Sequence, residues 1–471
     1  MRWLGFGKKA FRTGVSYHVH GGNMISSEDN KTSYITNGYT ANDIIFSIVN
    51  LIAEKVRVAP WGVYKIEDES SLKKYEAIMR RKDLSGEDHI LAQKYRKKAL
   101  VEFNDPKLIE LLERPNEICT FSDLVADSSV MKMICGGRMI YADVLQAGAN
   151  AGKPQSLTIL PYNLMTILAK NEFPQLLISE VGYRIEDWRI PIAKENVLHD
   201  KYYNPNYDAM GSHLFGLAPM KAALLLTDKS NSANKTEAAQ FQNQGPKKII
   251  FMDDERFTPE QGNTQAQQIK KILQGNEYAG PDSAGKTATS GYKMGVVDAG
   301  LSPVDLGIIE SEKWTLRRFC NVFGGIPSQL LNDPENKSYN NQKEGEKALT
   351  TRGAIPLLNS FREHFNKKLS TDWGYKGKNI YVDYDSTVYT ELQDDLKEKW
   401  TWVKELPVSW KYKLELMGLD NEDDSEGLEE IMIPSGFQPI DSYNVVDDAL
   451  EADREDGTGK VPKDGKGKAR V

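Results

Sequence analysis

The chain has 471 residues, of which 40% are hydrophobic and 27% are charged, and its formal net charge is −7. This length exceeds one ordinary hydrophobic core, so two or three structural units are expected. No apolar run reaches the roughly eighteen residues that a membrane span needs, so we expect no membrane partner. The acidic balance disfavours tight binding of nucleic acid, which needs a basic surface, but permits a protein that lets DNA slide past.

The first half of the chain predicts an arm followed by a mixed helix and strand unit. Residues 1–40 are polar and aperiodic, which predicts an arm. From Thr40 to Val56, apolar residues recur at helical spacing behind Asn42 or Thr40 as the cap, and Trp61–Ile66 favours a strand. The densely charged stretch from Glu67 to Lys98 predicts a helical insertion with an exposed, solvated face. The other elements predicted here are helices at Asp105–Glu113 and Phe121–Ile134 and strands at Met139–Leu145, Leu157–Ile167, Gln175–Tyr183 and Trp188–Leu198.

Two long helices are predicted in the middle of the chain. The first opens with Pro219 at its first position and extends to Gln244. Its second half is small and polar, with too little apolar face to dock on a core, so we expect it to border other copies of the chain or a wet space. The second has Ser302 as N-cap and Pro303 at the first position, and it ends at Gly324-Gly325.

Short strands, a loop and more helices complete the pattern. Between the long helices, strands at Lys248–Met252 and Gly291–Val297 flank a helix that starts at Thr258. After the second long helix, Ser328–Gln342 is rich in Asn, Gln, Ser and Lys, which predicts a long loop and a candidate working part. The last predicted elements are a helix at Gly345–Leu369 bent or interrupted at Pro356, a strand at Asn379–Tyr384, and helices at Val388–Lys404 and Trp410–Met417.

The run GLSPVDLGIIESEKWTLRRFCNVFGGIPSQLLND (Gly300–Asp333) resembles the signature region of siphophage-type portal proteins of tailed bacteriophages. Tyr339-Asn340-Asn341 resembles the element that follows this region in the family. Asn42–Tyr64, Leu111–Asn116 and Gly216–Pro219 resemble further family segments. These segments occur in the expected order over roughly residues 40–440, and this order is more specific than any single motif.

The resemblance implies an α+β portal fold with an α/β wing, two long stem helices, a small β-α-β clip, a polar tunnel loop and a helical crown. The implied boundaries are an N-terminal arm at 1–40, the wing at 41–216, a stem helix at 217–245, the clip at 246–300, a second stem helix at 301–325, the tunnel loop at 326–342, wing and crown helices at 343–440, and a disordered tail at 441–471.

The resemblance also implies a function. Twelve copies would form a ring at the unique capsid vertex, as a channel for double-stranded DNA during packaging and ejection. The ring would dock the terminase large subunit, contact the major capsid protein and later bind head-completion, adaptor and tail proteins. The protein would reside in the virion, and in the host cytoplasm during assembly. We expect no catalytic residue, cofactor or metal site.

Two sets of residues are the candidate sites. In the family, the loop after the second long helix projects into the bore, which places six residues of this chain beside DNA: Asn332, Glu335, Asn336, Lys337, Ser338 and Asn340. A closed ring of identical subunits needs two different complementary patches on each subunit. For these we pair the small-residue face of the first long helix, with Leu225 and Ala233, with the aromatic face of the second helix of a neighbour, with Trp314 and Phe319.

Two alternative functions remain open from the sequence. Gly280–Thr287 fits the G-x-x-x-x-G-K-T pattern of nucleotide hydrolases, with Lys286 as the phosphate-binding lysine. The chemistry needs a buried strand before that loop and a helix after it, whereas a helical pattern precedes it here and a poor helix start follows. The other alternative is a different capsid-associated connector without an axial channel.

Overall fold

The computed structural model of the chain describes residues 18–19, 22–23, 31–242, 248–252, 264, 267, 294–298, 308–416, 432–433 and 438–439, with gaps at 83, 146, 149, 170–179, 186–190, 208–211, 332, 334–338, 394–399, 402, 405 and 407. The chain divides into two units. The larger contains residues 1–84 and 95–389, and the smaller contains residues 85–94 and 390–471.

The described residues contain both helices and short strands, and the strands pair antiparallel in small sheets, which places the chain in the α+β class. The helices are α1 (Lys31–Ser33), α2 (Asp43–Arg57), α3 (Glu69–Met79), α4 (Gly86–Ala99), α5 (Pro106–Glu113), α6 (Phe121–Cys135), α7 (Pro219–Ala222), α8 (Leu224–Gln242), α9 (Ile308–Val322), α10 (Tyr339–Ala348), α11 (Ile355–Thr371) and α12 (Trp410–Leu416). The strands are β1 (His18–Val19), β2 (Gly22–Asn23), β3 (Trp61–Ile66), β4 (Leu100–Glu102), β5 (Gly137–Val144), β6 (Pro154–Leu160), β7 (Met165–Ala169), β8 (Glu180–Ile185), β9 (Ile192–Ala193), β10 (Val197–Lys201), β11 (Lys248–Met252), β12 (Met294–Asp298), β13 (Ile380–Tyr384), β14 (Met432–Ile433) and β15 (Gln438–Pro439).

The strands of the larger unit form several small sheets, all antiparallel where the structure describes them. Three of these have three strands each, in the orders β13-β3-β4, β10-β5-β6 and β7-β8-β9. Strands β11 and β12 pair with each other, with Lys248 opposite Asp298 and Met252 opposite Met294. The fold therefore joins sequence-distant segments, since β13 at the far end of the larger unit pairs with β3 near its beginning.

Local chemistry explains where several predicted helices begin and end. The Asn42 side chain accepts the backbone N–H of Ile45 and so caps α2, which decides between the two predicted caps. Helix α6 opens with a capping box, in which Thr120 and Asp123 satisfy each other's backbone N–H groups. It ends at Gly136, whose φ of 89° is the left-handed conformation that glycine adopts without strain.

Two predictions about the first hundred residues were wrong. The segment from Lys31 to Tyr39 is helical, with a π-helical turn over Tyr34–Tyr39, and Tyr34 is buried, so the arm is shorter than predicted. The charged stretch 67–98 forms two helices as expected, but it is more than a solvated face. Tyr75 on α3 is fully buried, and Arg96 on α4 donates to the buried carboxylate of Asp383 at 2.7 Å. Burial of one face explains the error, because dense charge on the other face hid the apolar spacing.

Asp383 on β13 is the centre of a buried polar cluster that links this strand to α3, α4 and α11. The side chain of Arg362 is fully buried and donates to Asp383 at 3.1 Å. The Tyr75 hydroxyl donates to the other carboxylate oxygen, also at 3.1 Å. Burial raises the pKa of Tyr75 well above its ordinary value, and the charge of Asp383 adds to this effect.

The helix predicted at Val388–Lys404 is wrong in its first part. Ser386–Val388 and Thr390–Leu392 are separate 3-10 turns. The Asp385 side chain accepts the N–H of Thr387, and the buried Tyr389 donates its hydroxyl to the carbonyl of Lys55 at 2.7 Å. These contacts hold the chain in turns and override its helical propensity. The helical prediction for Gly345–Leu369 is confirmed, and its regular α-helical pattern is interrupted by a π-helical segment at Leu349–Ala354, after which α11 starts with Pro356 in its first turn.

The predicted strands 157–167 and 188–198 are each divided in the structure. A 3-10 turn at Tyr162–Leu164 separates β6 from β7, and another at Lys194–Asn196 separates β9 from β10. The first long helix is likewise divided, because the backbone turns at Ala223 between α7 and α8. The predicted capping residues of the second long helix, Ser302 and Pro303, lie outside the described residues. Of the predicted clip helix that starts at Thr258, only Thr264 and Gln267 are described, and both are helical.

Candidate functional site

The two long helices α8 and α9 contact each other within one chain, and each also presents an exposed apolar side chain. Leu225 on α8 and Trp314 on α9 are each 59% exposed. Ala233 is half-buried. Phe319 has no exposed surface, so its assignment to a contact with a neighbouring subunit is wrong for this conformation. Its apolar ring packs inside the chain, which the helical spacing alone did not distinguish from an exposed position.

The composition predicted that the small polar half of α8 borders other copies of the chain or a wet space, but part of it is buried within its own chain. Ser230 is only 2% exposed. The side-chain amide of Asn42 donates to the Ser230 hydroxyl at 3.0 Å and to the Asn231 side-chain oxygen at 2.9 Å. Asn231 in turn donates to the carbonyl of Asn37 at 2.7 Å. These small polar residues therefore fasten α8 to the beginning of α2, in contacts that sequence spacing did not predict.

The segment after α9 makes a tight turn at Gly324 and Gly325, as predicted. Their φ angles of 107° and 74° are left-handed, and such angles favour glycine. The N–H groups of Gly325 and Ile326 both donate to the carbonyl of Cys320, at 3.0 and 3.2 Å. The chain is thus reversed within a few residues, and the buried Ile326 fixes where the following segment starts.

A charged contact holds the first part of the predicted tunnel loop, which we call the loop base (Ser328–Leu331 together with Asp333). Arg317 on α9 donates to both carboxylate oxygens of Asp333, at 2.9 and 3.3 Å. The Ser328 hydroxyl donates to the same carboxylate at 2.7 Å. The side chain of Asp333 is 5% exposed and that of Arg317 is 28% exposed. The loop base is therefore an ordered structure rather than an open connection.

The predicted loop 328–342 is shorter in the structure than in the sequence interpretation. Ser328–Leu331 forms a 3-10 turn, and helix α10 already begins at Tyr339. Asn340 therefore belongs to the first turn of α10. Of the other proposed DNA neighbours, Asn332, Glu335, Asn336, Lys337 and Ser338 lie outside the described residues.

Glu312 on α9 is influenced by the negative charges of two carboxylates on neighbouring helices. Burial raises the pKa of Glu312 on α9 above its ordinary value, and the negative charges of Glu237 on α8 and Asp43 on α2 raise it further. The charged form of Glu312 is therefore disfavoured in the folded chain. Among the described residues, no group of three or more His, Cys, Asp or Glu side chains has a metal-binding arrangement.

A second buried ionic cluster lies between α6, β5, β10 and α11. Asp200 accepts from Lys132 at 2.7 Å and from the Nε of Arg138 at 2.8 Å. The Ser360 hydroxyl lies 2.9 and 3.0 Å from the two carboxylate oxygens. Burial alone would raise the pKa of Asp200, but Arg138 and Lys132 outweigh burial and hold it well below its usual range. We interpret this cluster as structural.

No helix in the described part of the chain combines the length and apolar character needed to cross a membrane. The possible phosphate-binding loop at Gly280–Thr287, with Lys286, lies outside the described residues. What the described geometry defines is an α+β subunit with two contacting long helices, a small antiparallel strand pair between them in sequence, and an ordered turn after the second.

Comparison with known proteins identifies the family. A family model described as "Phage portal protein" matches residues 89–407. The chain therefore belongs to the phage portal protein family, a structural, non-enzymatic component of the capsid. This finding confirms the resemblance seen in the sequence, and the nucleotide-hydrolase alternative is not retained.

The chain is also similar to a protein of Rickettsia bellii and to chains of solved structures. An uncharacterized protein of Rickettsia bellii is 25% identical over 376 residues, which cover 77% of this chain and 82% of that protein. A chain from a structure titled "Neck of empty GTA particle computed with C6 symmetry" matches with a TM-score of 0.54 and 20% identity, over 84% of this chain and 95% of that one. A chain from "Neck of native GTA particle computed with C12 symmetry" matches with a TM-score of 0.53 and 20% identity, over the same shares. At this identity the two structures show a shared fold and no more, and the described helices and sheets confirm the α+β class.

Proposed function

We propose that this protein is the subunit of a portal ring at one vertex of a capsid, and that double-stranded DNA passes through the centre of the ring. The observation that carries the proposal is the match of the portal family over residues 89–407. The similar fold of a particle-neck chain, whose structure was computed with C12 symmetry, supports twelve subunits for this ring as well. In a closed ring, each subunit contacts one neighbour on each side through two different surface patches.

The exposed faces of the two long helices are the contacts that we propose between neighbours. Around Leu225, the exposed residues of the first helix include Lys221 and Lys229, at helical spacing. Around Trp314, the exposed residues of α9 include Glu310. Leu225 of one subunit would then cover Trp314 of the next, with Lys229 and Glu310 as an opposite-charge pair at the rim. Two different patches on one chain give the head-to-tail geometry that a ring requires.

The channel must let DNA move, because each retained phosphate contact adds attraction that a packaging motor has to overcome. A chain with net charge −7 meets this need on average. In this proposal the segment beyond the loop base faces the bore. Asn332, Glu335, Asn336, Lys337 and Ser338 lie beside the DNA, together with Asn340 at the start of α10.

The same proposal includes partners and location. The ring would dock the terminase large subunit during packaging and would contact the major capsid protein. Head-completion, adaptor and tail proteins would bind it afterwards. It would assemble in the host cytoplasm and remain in the virion.

A single exposed substitution tests the ring contact. Leu225→Asp places a charge at the centre of the proposed interface, where its burial would be costly. We expect the wild-type chain of 53.0 kDa to form particles of about 640 kDa, and the variant to remain unassembled, by light scattering.

The control is Tyr203→Asp, because Tyr203 is 74% exposed on a loop of the wing region. This control should assemble like the wild type. If Leu225→Asp also assembles normally, the proposed contact is wrong. If the wild type forms no large particle at any concentration or ionic strength, the ring itself is wrong.

A further inference from the structure

One side chain of α9 touches both the exposed face of that helix and the loop base. The guanidinium carbon of Arg317 lies 5.4 Å from the ring centre of Trp314, within the range of a cation–π contact. The same guanidinium holds both carboxylate oxygens of Asp333 in the paired geometry that makes Arg–carboxylate contacts strong and directional. Trp314, Arg317 and Asp333 therefore form a continuous series of contacts from the surface to the loop.

Because the side chain of Arg317 is partly exposed to solvent, the strength of its ion pair with Asp333 depends on whether another molecule covers Trp314. An ion pair that water still reaches contributes little, because the dielectric constant around it is high. Removal of that water strengthens the same pair several-fold. The side chain of Arg317 is 28% exposed while that of Asp333 is 5% exposed, so only the arginine end of the pair is open to solvent. A neighbour placed over Trp314 would exclude water at this end.

Besides the contact with Arg317, the loop base is held by its own turn and by packing on α10. Asp333 also receives the hydroxyl of Ser328, which starts the turn Ser328–Leu331. Further along, Leu330 packs on α10, since a methyl group added at Gly345 would lie 3.4 Å from the Leu330 side chain. The contacts of Asp333 and Leu330 therefore fix the loop base against α9 and α10.

We propose that Arg317 is a positioning residue that couples the subunit contact at Trp314 to the loop base. The inference rests on the proposed ring. When the next subunit covers Trp314, the Arg317–Asp333 pair tightens and the loop base becomes fixed. The loop of each subunit is thereby set by the presence of its neighbour, and by reciprocity a weakened Arg317–Asp333 pair also weakens the ring.

Hydrogen exchange of the backbone amides at Ser328–Leu331 tests this coupling, because it reports local opening of the turn. We compare the assembled wild type with the unassembled Leu225→Asp chain, in which Arg317 and Asp333 are unchanged. We expect exchange at Ser328–Leu331 to be at least about tenfold slower in the ring. Amides in the middle of α11, which is packed in the core of the chain, should exchange equally in both.

Two variants and one control assign the effect to Arg317. Arg317→Lys keeps the positive charge but cannot hold both oxygens of Asp333, and Arg317→Met removes the charge as well. Both should reduce the slowing on assembly, Arg317→Met to less than about twofold. Arg318→Met is the matched control, because Arg318 is an exposed arginine on the same helix, and it should behave like the wild type.

The outcomes separate the coupling from the ring. If Arg317→Met fails to assemble while Arg318→Met assembles, loss of the Arg317–Asp333 pair has weakened the ring, as the coupling predicts. Hydrogen exchange is then measured on Arg317→Lys instead. If Ser328–Leu331 exchanges equally in the ring and in the Leu225→Asp chain, or if Arg317→Lys and Arg317→Met keep the full slowing, the coupling is wrong and the ring stands. If the wild type forms no ring, the proposed function fails together with the coupling.

Discussion

Replacement of Asp200 by Asn should severely destabilise the chain, because this carboxylate is the shared partner of two buried cations. The side chains of Asp200, Lys132 and Arg138 are 1%, 4% and 0% exposed. Asn has nearly the same size and shape but no charge. Lys132 and Arg138 would then remain buried without a counter-charge, while their contacts to Ser360 and to the carbonyl of Leu357 would persist.

The expected magnitude follows from this geometry. Removal of one partner from a buried ion pair costs about 3–5 kcal/mol, because the other charge is left uncompensated. A domain has only about 5–15 kcal/mol of stability in total. Asp200→Asn should therefore remove a third or more of the free energy of unfolding. The double variant Lys132→Met with Asp200→Asn should recover part of the loss, since one orphaned cation is gone.

Equilibrium urea unfolding followed by tryptophan fluorescence measures this difference, at one fixed protein concentration because assembly adds to apparent stability. Asp127→Asn is the control. Asp127 pairs with Arg57 at 3.1 Å but is 53% exposed, so its loss should cost about 1 kcal/mol or less. The reasoning is refuted if Asp200→Asn unfolds within about 1 kcal/mol of this control.

The same substitution has a signature in pH. The pKa of Asp200 in the folded chain is well below its usual value, so the unfolded chain binds the proton first as pH falls. The stability that Asp200 provides is therefore present above about pH 4 and is lost as pH falls below that value. Asp200→Asn should lack this contribution to acid sensitivity, while Asp127→Asn should keep it.

Two further substitutions test the packing around the long helices. Glu312→Gln should raise the melting temperature by about 1 °C at neutral pH. It should also flatten the gain in stability that the wild type shows as pH falls towards the raised pKa of Glu312, whereas Glu310→Gln, on the exposed face of α9, should do neither. Gly216→Ala should cost about 3 kcal/mol or more in urea unfolding, because its methyl group would overlap the carbonyl oxygen of Gly136. Gly353→Ala, whose methyl group would lie 3.5 Å from Ile52, should stay within about 1 kcal/mol of the wild type, and equal effects of the two would contradict the packing.

Much of the fold could be predicted from the sequence because local signals agreed with the tertiary structure. The strand Trp61–Ile66 has the predicted bounds. The cap at Asn42 and the turn at Gly324-Gly325 were also visible in the sequence, since side-chain caps and left-handed glycines act within a few residues. The family resemblance likewise depended on short segments that occur along the chain in the order expected for the family.

The errors arose where distant residues decided the structure. Val388–Lys404 has helical spacing, but the contact between Tyr389 and the carbonyl of Lys55 holds turns there. Ser230 was expected to border other copies of the chain or a wet space, but it is buried and accepts a hydrogen bond from Asn42, which lies 188 positions earlier. Local sequence patterns carry no information about such distant partners. For the same reason, the sequence did not predict that Phe319 is buried.

The loop base shows the same limit within the candidate site. The Asn, Ser and Lys content of 328–342 predicted an open loop, yet Arg317 and Asp333 order its first part. An arginine sixteen residues before an aspartate is not a recognisable motif, because helix α9 and the glycine turn bring the two together only in three dimensions. The contact therefore needed a structure to be found.

Electron microscopy of the purified full-length chain, viewed along the particle axis, tests the central claim most directly. The account predicts annular particles with an open centre and twelve repeats around it. Compact single subunits at every protein and salt concentration, with no annular particles, would contradict it.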